Sequence, residues 1–332
     1  MNALVYRNTK TTLPGWVSTV HQSQPRGMGY ETSTHFVHFY GTDRGLWVIS
    51  PGLTVSQRKQ GTLADWVANT FGAEDVVPSV SIVGHSIAGV WRPGISNYDD
   101  IRQGLGTTDA ERHEHLQSIR LLVERLDELF LYIEPSHNGL QNYSHKAREL
   151  LILACTEVEN NWKRYLQAAN VAPVNGRDYT TNDYAKLHPK LFLSEYEISL
   201  KAYPSIAPVR PFQGWNTQQP TQSLPWYHAY NLTKHDRQSH FSEATLANCL
   251  SSVCANLILF SVRFSPLPLY HEGGTVSALF NQLFEISLRD CSPSTFYIRS
   301  INTSAIGNPL LICFDCIRDN NSEAWTVDPL VI

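Results

Sequence analysis

Apolar positions change their period along this chain. Up to about residue 105 they fall in short β-branched and aromatic runs, THFVHFY, GLWVIS and VVPSVSIVGHSIAGVW, separated by turn residues. That texture predicts strands, with Gly41-Thr42-Asp43-Arg44 closing a hairpin between the first two. Within TLADWVANTFG, Leu63, Trp66, Val67 and Phe71 recur at helical intervals and predict one short amphipathic helix. The segment therefore reads as a small α+β layer.

The period lengthens at Thr108. Thr108-Asp109-Ala110-Glu111 matches a capping box, and Leu116, Ile119, Val123, Leu126, Phe130 and Ile133 form the stripe of a long helix that Pro135 ends. Ser144 opens a second helix, carrying Ala147, Leu151, Ala154, Val158, Trp162 and Tyr165, to about Asn170. The connection of about ten residues predicts antiparallel neighbours. Residues 171–230 hold the prolines 173, 189, 204, 208, 211, 220 and 225 and predict irregular cover with one strand at EYEISLKAY. A third long helix is expected from Phe241 to Pro266 and a fourth over about 275–289, followed by strands at STFYIRSI, LLICFDCI and EAWTV. The expected fold is α+β: long antiparallel helices with a small β-containing layer from the N-terminal and C-terminal segments. The expected domains are 1–106, 107–290 with an irregular insertion at 171–230, and 291–332.

Composition narrows the function. The 332 residues are 42% hydrophobic and 17% charged, with net charge -4. Only residues 171–240 are basic, with seven cations against five anions. An extended duplex binder carries a strongly basic face, so the charge pattern leaves room for a single-phosphate pocket or a short strand instead. No apolar run approaches the roughly 18 residues of a membrane span, and MNALVYRNTK lacks the regions of a signal peptide, which predicts a cytoplasmic protein without membrane contact. Six cysteines, mostly inside apolar runs, read as buried structural residues. Cys313-x-x-Cys316 has no second pair to complete a zinc site, so no metal or cofactor is expected.

The densest polar and aromatic cluster is Leu224 to Arg237, LPWYHAYNLTKHDR. Read as a loop entering the third helix, it places Asn231, Lys234, His235 and Arg237 where helix N-terminal amides favour an anion. His235 is the side chain suited to proton transfer near neutral pH. The structural alternative has Tyr230 and Asn231 capping the helix while Lys234 and Arg237 pair with Glu157 or Glu159. A second cluster, His145, Arg148, Glu149, Glu157 and Glu159, lies on the second helix. Arg148 and Glu159, eleven residues apart, share a face there, and solvated ion pairs account for them.

LFLYIEPS, then YSHKARELLILACTEVENNWKRYL, then LPWYHAYNLTKHDR before an apolar helix, together resemble a family of uncharacterised bacterial helical proteins associated with the HEPN superfamily, over about residues 110–265. The resemblance implies a bundle of antiparallel helices, a homodimer, and RNA or nucleotide binding with metal-independent RNA cleavage in toxin or phage-defence systems. Active members carry Arg and His separated by four to six residues. Here the nearest pair is Arg237-Gln238-Ser239-His240, with two residues between. The substitute catalytic set is Lys234, His235, Arg237 and His240, with Arg148, Trp226, Tyr230 and Asn231 binding the ligand.

Two other readings compete. One is a noncatalytic helical module for dimerisation or docking of a protein partner. The other is a serine hydrolase, because Gly84-His85-Ser86-Ile87-Ala88-Gly89 resembles a nucleophile elbow. Against it, Arg92-Pro93-Gly94 breaks the helix the elbow should launch. The pairs His35/His38 and His113/His115 are expected at the surface; His35 and His38, three apart on a strand, face opposite sides. Asn142, Asn231, Asn302 and Asn320 match glycosylation patterns without a secretory context.

Overall fold

The structure is a computed structural model that describes residues 2–13, 15–46, 48–49, 54–304, 310–312 and 323–332. It divides into two compact units: residues 1–106 with 290–328, and residues 107–289 with 329–332.

The first unit is built on a six-stranded antiparallel sheet. β1 (Ala3–Arg7), β2 (Arg26–Glu31), β3 (His35–Gly41), β4 (Thr54–Arg58), β5 (Glu74–Pro78) and β9 (Leu310–Ile312) lie in the order β5-β1-β2-β3-β4-β9. Beside it, β6 (His85–Ile87) pairs in parallel with β10 (Thr326–Asp328). The helices here are α1 (Val20–Ser23), α2 (Leu63–Phe71) and α3 (Tyr98–Leu105). α2 starts at Thr62, whose side chain accepts from the Asp65 amide, and stops at Gly72 in a left-handed conformation.

All seven residues of β3 are buried. That follows from a sheet covered on both faces: Phe36 and Tyr40 pack with Tyr6, Trp66, Val67 and Phe71 under α2, while Val37 and Phe39 pack with Met28, Tyr30, Phe296, Ile298 and Ile301. The expected surface positions of His35 and His38 are therefore wrong, since they are 5% and 0% exposed. Their assignment to opposite faces follows from the alternation of side chains along the strand. β3 pairs with β2 and β4, and the described residues of GLWVIS lie outside any strand.

His38 is stacked on Phe71 at 3.8 Å, and its Nδ1 lies 2.5 Å from the Tyr6 hydroxyl. β2 makes room for that tyrosine. A Cβ on Gly27, which faces Tyr6 across the strands, would stand 2.2 Å from the ring.

The second unit contains α4 (Asp109–Phe130), α5 (His145–Ala168), α6 (Thr181–Tyr184), α7 (Leu187–Lys190), α8 (Pro225–His235), α9 (Arg237–His240), α10 (Leu246–Phe264), α11 (Leu267–His271) and α12 (Gly274–Leu283). β7 (Tyr196–Leu200) and β8 (Phe284–Leu288) form an antiparallel pair. The capping box at Thr108 and Glu111 is present, and Ser144 caps α5.

The expected HEPN-like bundle of long antiparallel helices is overturned. Helix and strand make up 44% and 16% of the chain, so β structure is a main component. α4 and α5 do run antiparallel, as Lys146 with Glu128 at one end and Arg164 with Glu114 at the other show. But α5 and α10 run in parallel: Cys249 donates to the Ala147 carbonyl and Asn256 to the Ala154 carbonyl. The expected fourth helix ends at Leu283, where Phe284-Glu285-Ile286-Ser287-Leu288 alternates buried and less buried positions and becomes β8.

α10 is the core of this unit. Its apolar window reaches a mean hydropathy of 1.4, enough by length and composition to cross a membrane, and 78% of it is buried within the protein. Cys155, Cys249 and Cys254 are free and buried, while Cys313 and Cys316 lie outside the described residues.

Burial holds His38 well below its ordinary value of 6.5. A base that is neutral when folded and protonated when unfolded lends stability that is complete above 6.5 and lost as pH falls below it. Each such histidine contributes about 1.4 kcal/mol per pH unit over that range. Urea unfolding at pH 7 and pH 5 should show this loss for the native chain and a smaller one for His38→Gln; equal losses would refute the neutral pair.

Candidate functional site

The cluster at 224–237 is a helix of its own. Pro225 starts α8 at a position where its missing N–H costs nothing, and α8 ends at His235, eleven residues later than Leu224. The expected loop at the N-terminus of the third helix is thus replaced by a helix C-terminus. Lys234 and His235 stand in the last turn of α8, where the helix field favours cations. α9 and a 3₁₀ turn at Phe241–Glu243 separate them from α10.

α8 lies antiparallel to α5. Arg148 Nη2, at the start of α5, donates to the Thr233 carbonyl at 3.1 Å, capping the end of α8. About three turns further along α5, Glu159 Oε1 accepts from the Tyr227 hydroxyl at 2.6 Å, and the Tyr230 hydroxyl lies 3.4 Å from Oε2. Lys234 Nζ donates to the Tyr230 hydroxyl at 2.8 Å and sits 4.9 Å from that ring's centroid. The bond to Tyr230 raises the Lys234 amine above its ordinary value. Burial first, then the Glu159 charge, pushes the Tyr227 phenol strongly up. The carboxylate, two phenols and the amine form one chain of hydrogen bonds along the seam.

This placement divides the candidate residues. Trp226 and Tyr230 are 2% and 1% exposed, so they offer no face to a base. Trp226 Nε1 donates to the Pro211 carbonyl at 2.8 Å, and Tyr227 lies 5.3 Å from Trp162 in an aromatic group that also holds Trp215. Asn231 donates to the Tyr227 carbonyl at 2.9 Å, within its own helix. The structural alternative had Lys234 bonding Glu157 or Glu159; its bond is to Tyr230, which carries it to Glu159.

His235 and Arg237 are exposed, and His240 is partly exposed. Arg237 Nη2 lies 3.4 Å from His145 Nδ1, and both side chains pack on Phe241, at 5.8 and 4.7 Å from its ring. His145 is the first residue of α5, a helix of 24 residues with no acidic residue in its first turn. Asp236 caps α9 through the Ser239 amide at 3.1 Å, a bond that lowers its carboxyl below the usual range. Arg237, His145 and the amides at the start of α5 therefore meet at one surface corner, beside the end of α8 that carries His235.

Spacing in the sequence did not foresee this corner. His145 and Phe241 lie 96 positions apart in the numbering, and only the packing of α8 and α9 against α5 joins them. The signal that was available is the basic start of α5, His145-Lys146-x-Arg148, without an acidic residue.

The other candidates separate cleanly. Ser86 is 1% exposed and donates to the Gly104 carbonyl at 2.5 Å, while His85 pairs with Asp328 at 3.0 Å. The hydroxyl is enclosed and directs its proton at that backbone carbonyl, so the nucleophile elbow is not formed. His113 is exposed, whereas His115 contacts Arg164, and burial followed by that charge lowers it to about 4. Among the described residues no group of three His, Cys, Asp or Glu side chains is placed to hold a metal ion. Comparisons with protein-family models, curated proteins and solved structures find no match to this chain.

Removing the guanidinium of Arg148 leaves the last carbonyls of α8 without their cap. Arg148→Ala should cost about 1 kcal/mol in urea unfolding and speed amide exchange at residues 231–235. Unchanged exchange in α8 would show that the bond contributes nothing to the seam.

Proposed function

We propose that the helical unit binds the phosphate backbone of RNA or a nucleotide at the corner where α5 begins and α8 ends. The carrying observation is Arg237 against His145 at the N-terminus of a long helix whose first turn has no carboxylate. Helix N-terminal amides and a guanidinium both recognise phosphate oxygens. Lys234 and Arg148 support the corner from behind through Tyr230 and Thr233. The buried aromatic residues give it shape and leave base stacking to other surfaces.

Cleavage is the stronger form of the same reading. Transesterification needs one imidazole to take the 2′-hydroxyl proton and another to protonate the leaving oxygen, with a cation over the developing charge. His145, His235 and His240 are the imidazoles of this region, and Arg237 is the cation. A toxin or phage-defence role is the biological setting in which such chemistry is expected.

Fluorescence anisotropy with a labelled single-stranded RNA tests binding at two salt concentrations. Arg237→Ala should weaken the native affinity about tenfold and reduce the slope of log affinity against log salt by about one. Native binding that persists unchanged in both Arg237→Ala and His145→Ala, or no binding at low salt, sinks the proposal. If RNA is cut, His235→Ala should slow cutting more than it weakens binding.

A further inference from the structure

A second site lies in the sheet unit and does not rest on the reading above. A cleft of about 900 Å³ opens between the β2–β3 turn, the end of β4 and the segment 300–304. Its size is that of a small-molecule pocket, yet among the twelve described lining residues Ile301 alone is hydrophobic. The remainder include two cations, one carboxylate and one imidazole, with hydroxyl and amide side chains between them.

The chain organises these groups by charge. Arg58 is the cross-strand partner of His35, and the Lys59 amide donates to the Thr34 carbonyl at 2.9 Å, which fixes both cations beside the turn. Thr303 reaches the same end, 3.2 Å from the Thr32 hydroxyl. Lys59 is bonded to Glu31 at 2.7 Å and keeps its other two donors. Glu323 belongs to the opposite end of the segment, where it accepts from the Ser300 hydroxyl. Ser300 and Thr303 are three residues apart, so the two ends lie within about 10 Å of each other along the chain.

His35 closes the cationic end. Its Nδ1 lies 2.9 Å from the Thr34 hydroxyl, and its buried Nε2 has no hydrogen-bond partner among the described residues. Burial and the neighbouring Arg58 charge lower it below its ordinary value, so it is an uncharged hydrogen-bonding group at neutral pH.

We propose that this cleft binds a small phosphorylated polyol, a sugar phosphate, with the phosphate at Arg58 and Lys59 and the sugar hydroxyls on Glu323, Ser300 and Asn302. Cations beside hydroxyl donors suit a phosphate monoester, and a carboxylate accepts hydrogen bonds from vicinal hydroxyls. Among the described residues the lining holds no Phe, Tyr or Trp ring on which a nucleobase would stack, which favours the sugar phosphate over a nucleotide.

Isothermal titration of the full chain tests the assignment with ribose 5-phosphate, unphosphorylated ribose and inorganic phosphate. Ribose 5-phosphate should bind at least tenfold more tightly than either of the others. Arg58→Ala should weaken it tenfold or more, and Lys59→Ala, which leaves the strand β4 untouched, should do the same if the first variant fails to fold. Glu323→Gln should weaken ribose 5-phosphate and leave inorganic phosphate unaffected, while Lys10→Ala alters neither. Absence of ribose 5-phosphate binding, or equal affinities for it and inorganic phosphate, overturns the assignment, as does binding that survives both cation substitutions.

Discussion

The half-buried carboxylate of Glu159 ties α8 to α5. An ionised carboxyl withdrawn from water must be hydrogen-bonded, and α8 supplies the bonds with Tyr227 and Tyr230. Those two phenols fix both the rotation of α8 and its register along α5. Once they are placed, Lys234 must fold back onto Tyr230 and the Thr233 carbonyl must meet Arg148. The next residues, His235 and Arg237, are then carried past the end of α8 into solvent beside the start of α5.

This geometry separates two roles that the cluster LPWYHAYNLTKHDR merges in one string. Its aromatic half serves packing around Trp162, and its basic half remains available. An anion at this corner would meet a favourable helix field at the N-terminus of α5 and an unfavourable one at the C-terminus of α8. The seam hydrogen bonds hold α8 against α5 through Glu159 and Arg148.

The sheet unit obeys a different constraint. With every residue of β3 buried, neither face of the sheet can be left to water. α2 covers one face and the segment through Phe296, Ile298 and Ile301 covers the other. Where that covering segment continues into 302–304, its polar side chains meet the β2–β3 turn and leave a cleft instead of a core. Apolar cover and polar cleft are thus successive parts of one stretch of chain.

Local signals were readable where they are self-contained. The capping box at Thr108, the cap at Ser144, the stripe of α2 and the strand at Tyr196 depend on side chains within a turn or two, so residue spacing reveals them. The helix at 225–235 was missed as a helix because its apolar side faces Trp162, and a short aromatic-rich stretch after prolines carries no clear period of its own. β8 reads in sequence as a continuation of α12 because Phe284 and Ile286 suit either period until β7 offers its backbone. His35 and His38 were expected in solvent because polarity alone says nothing of a second covering layer. What the sequence alone determined was the inventory: one basic stretch, cap sites and the residue types able to bind phosphate. Tertiary structure decided the rest, which of those groups are consumed by partners and which meet across 90 or more positions. That selection depends on how surfaces far apart in the chain bury one another, and local spacing does not encode it.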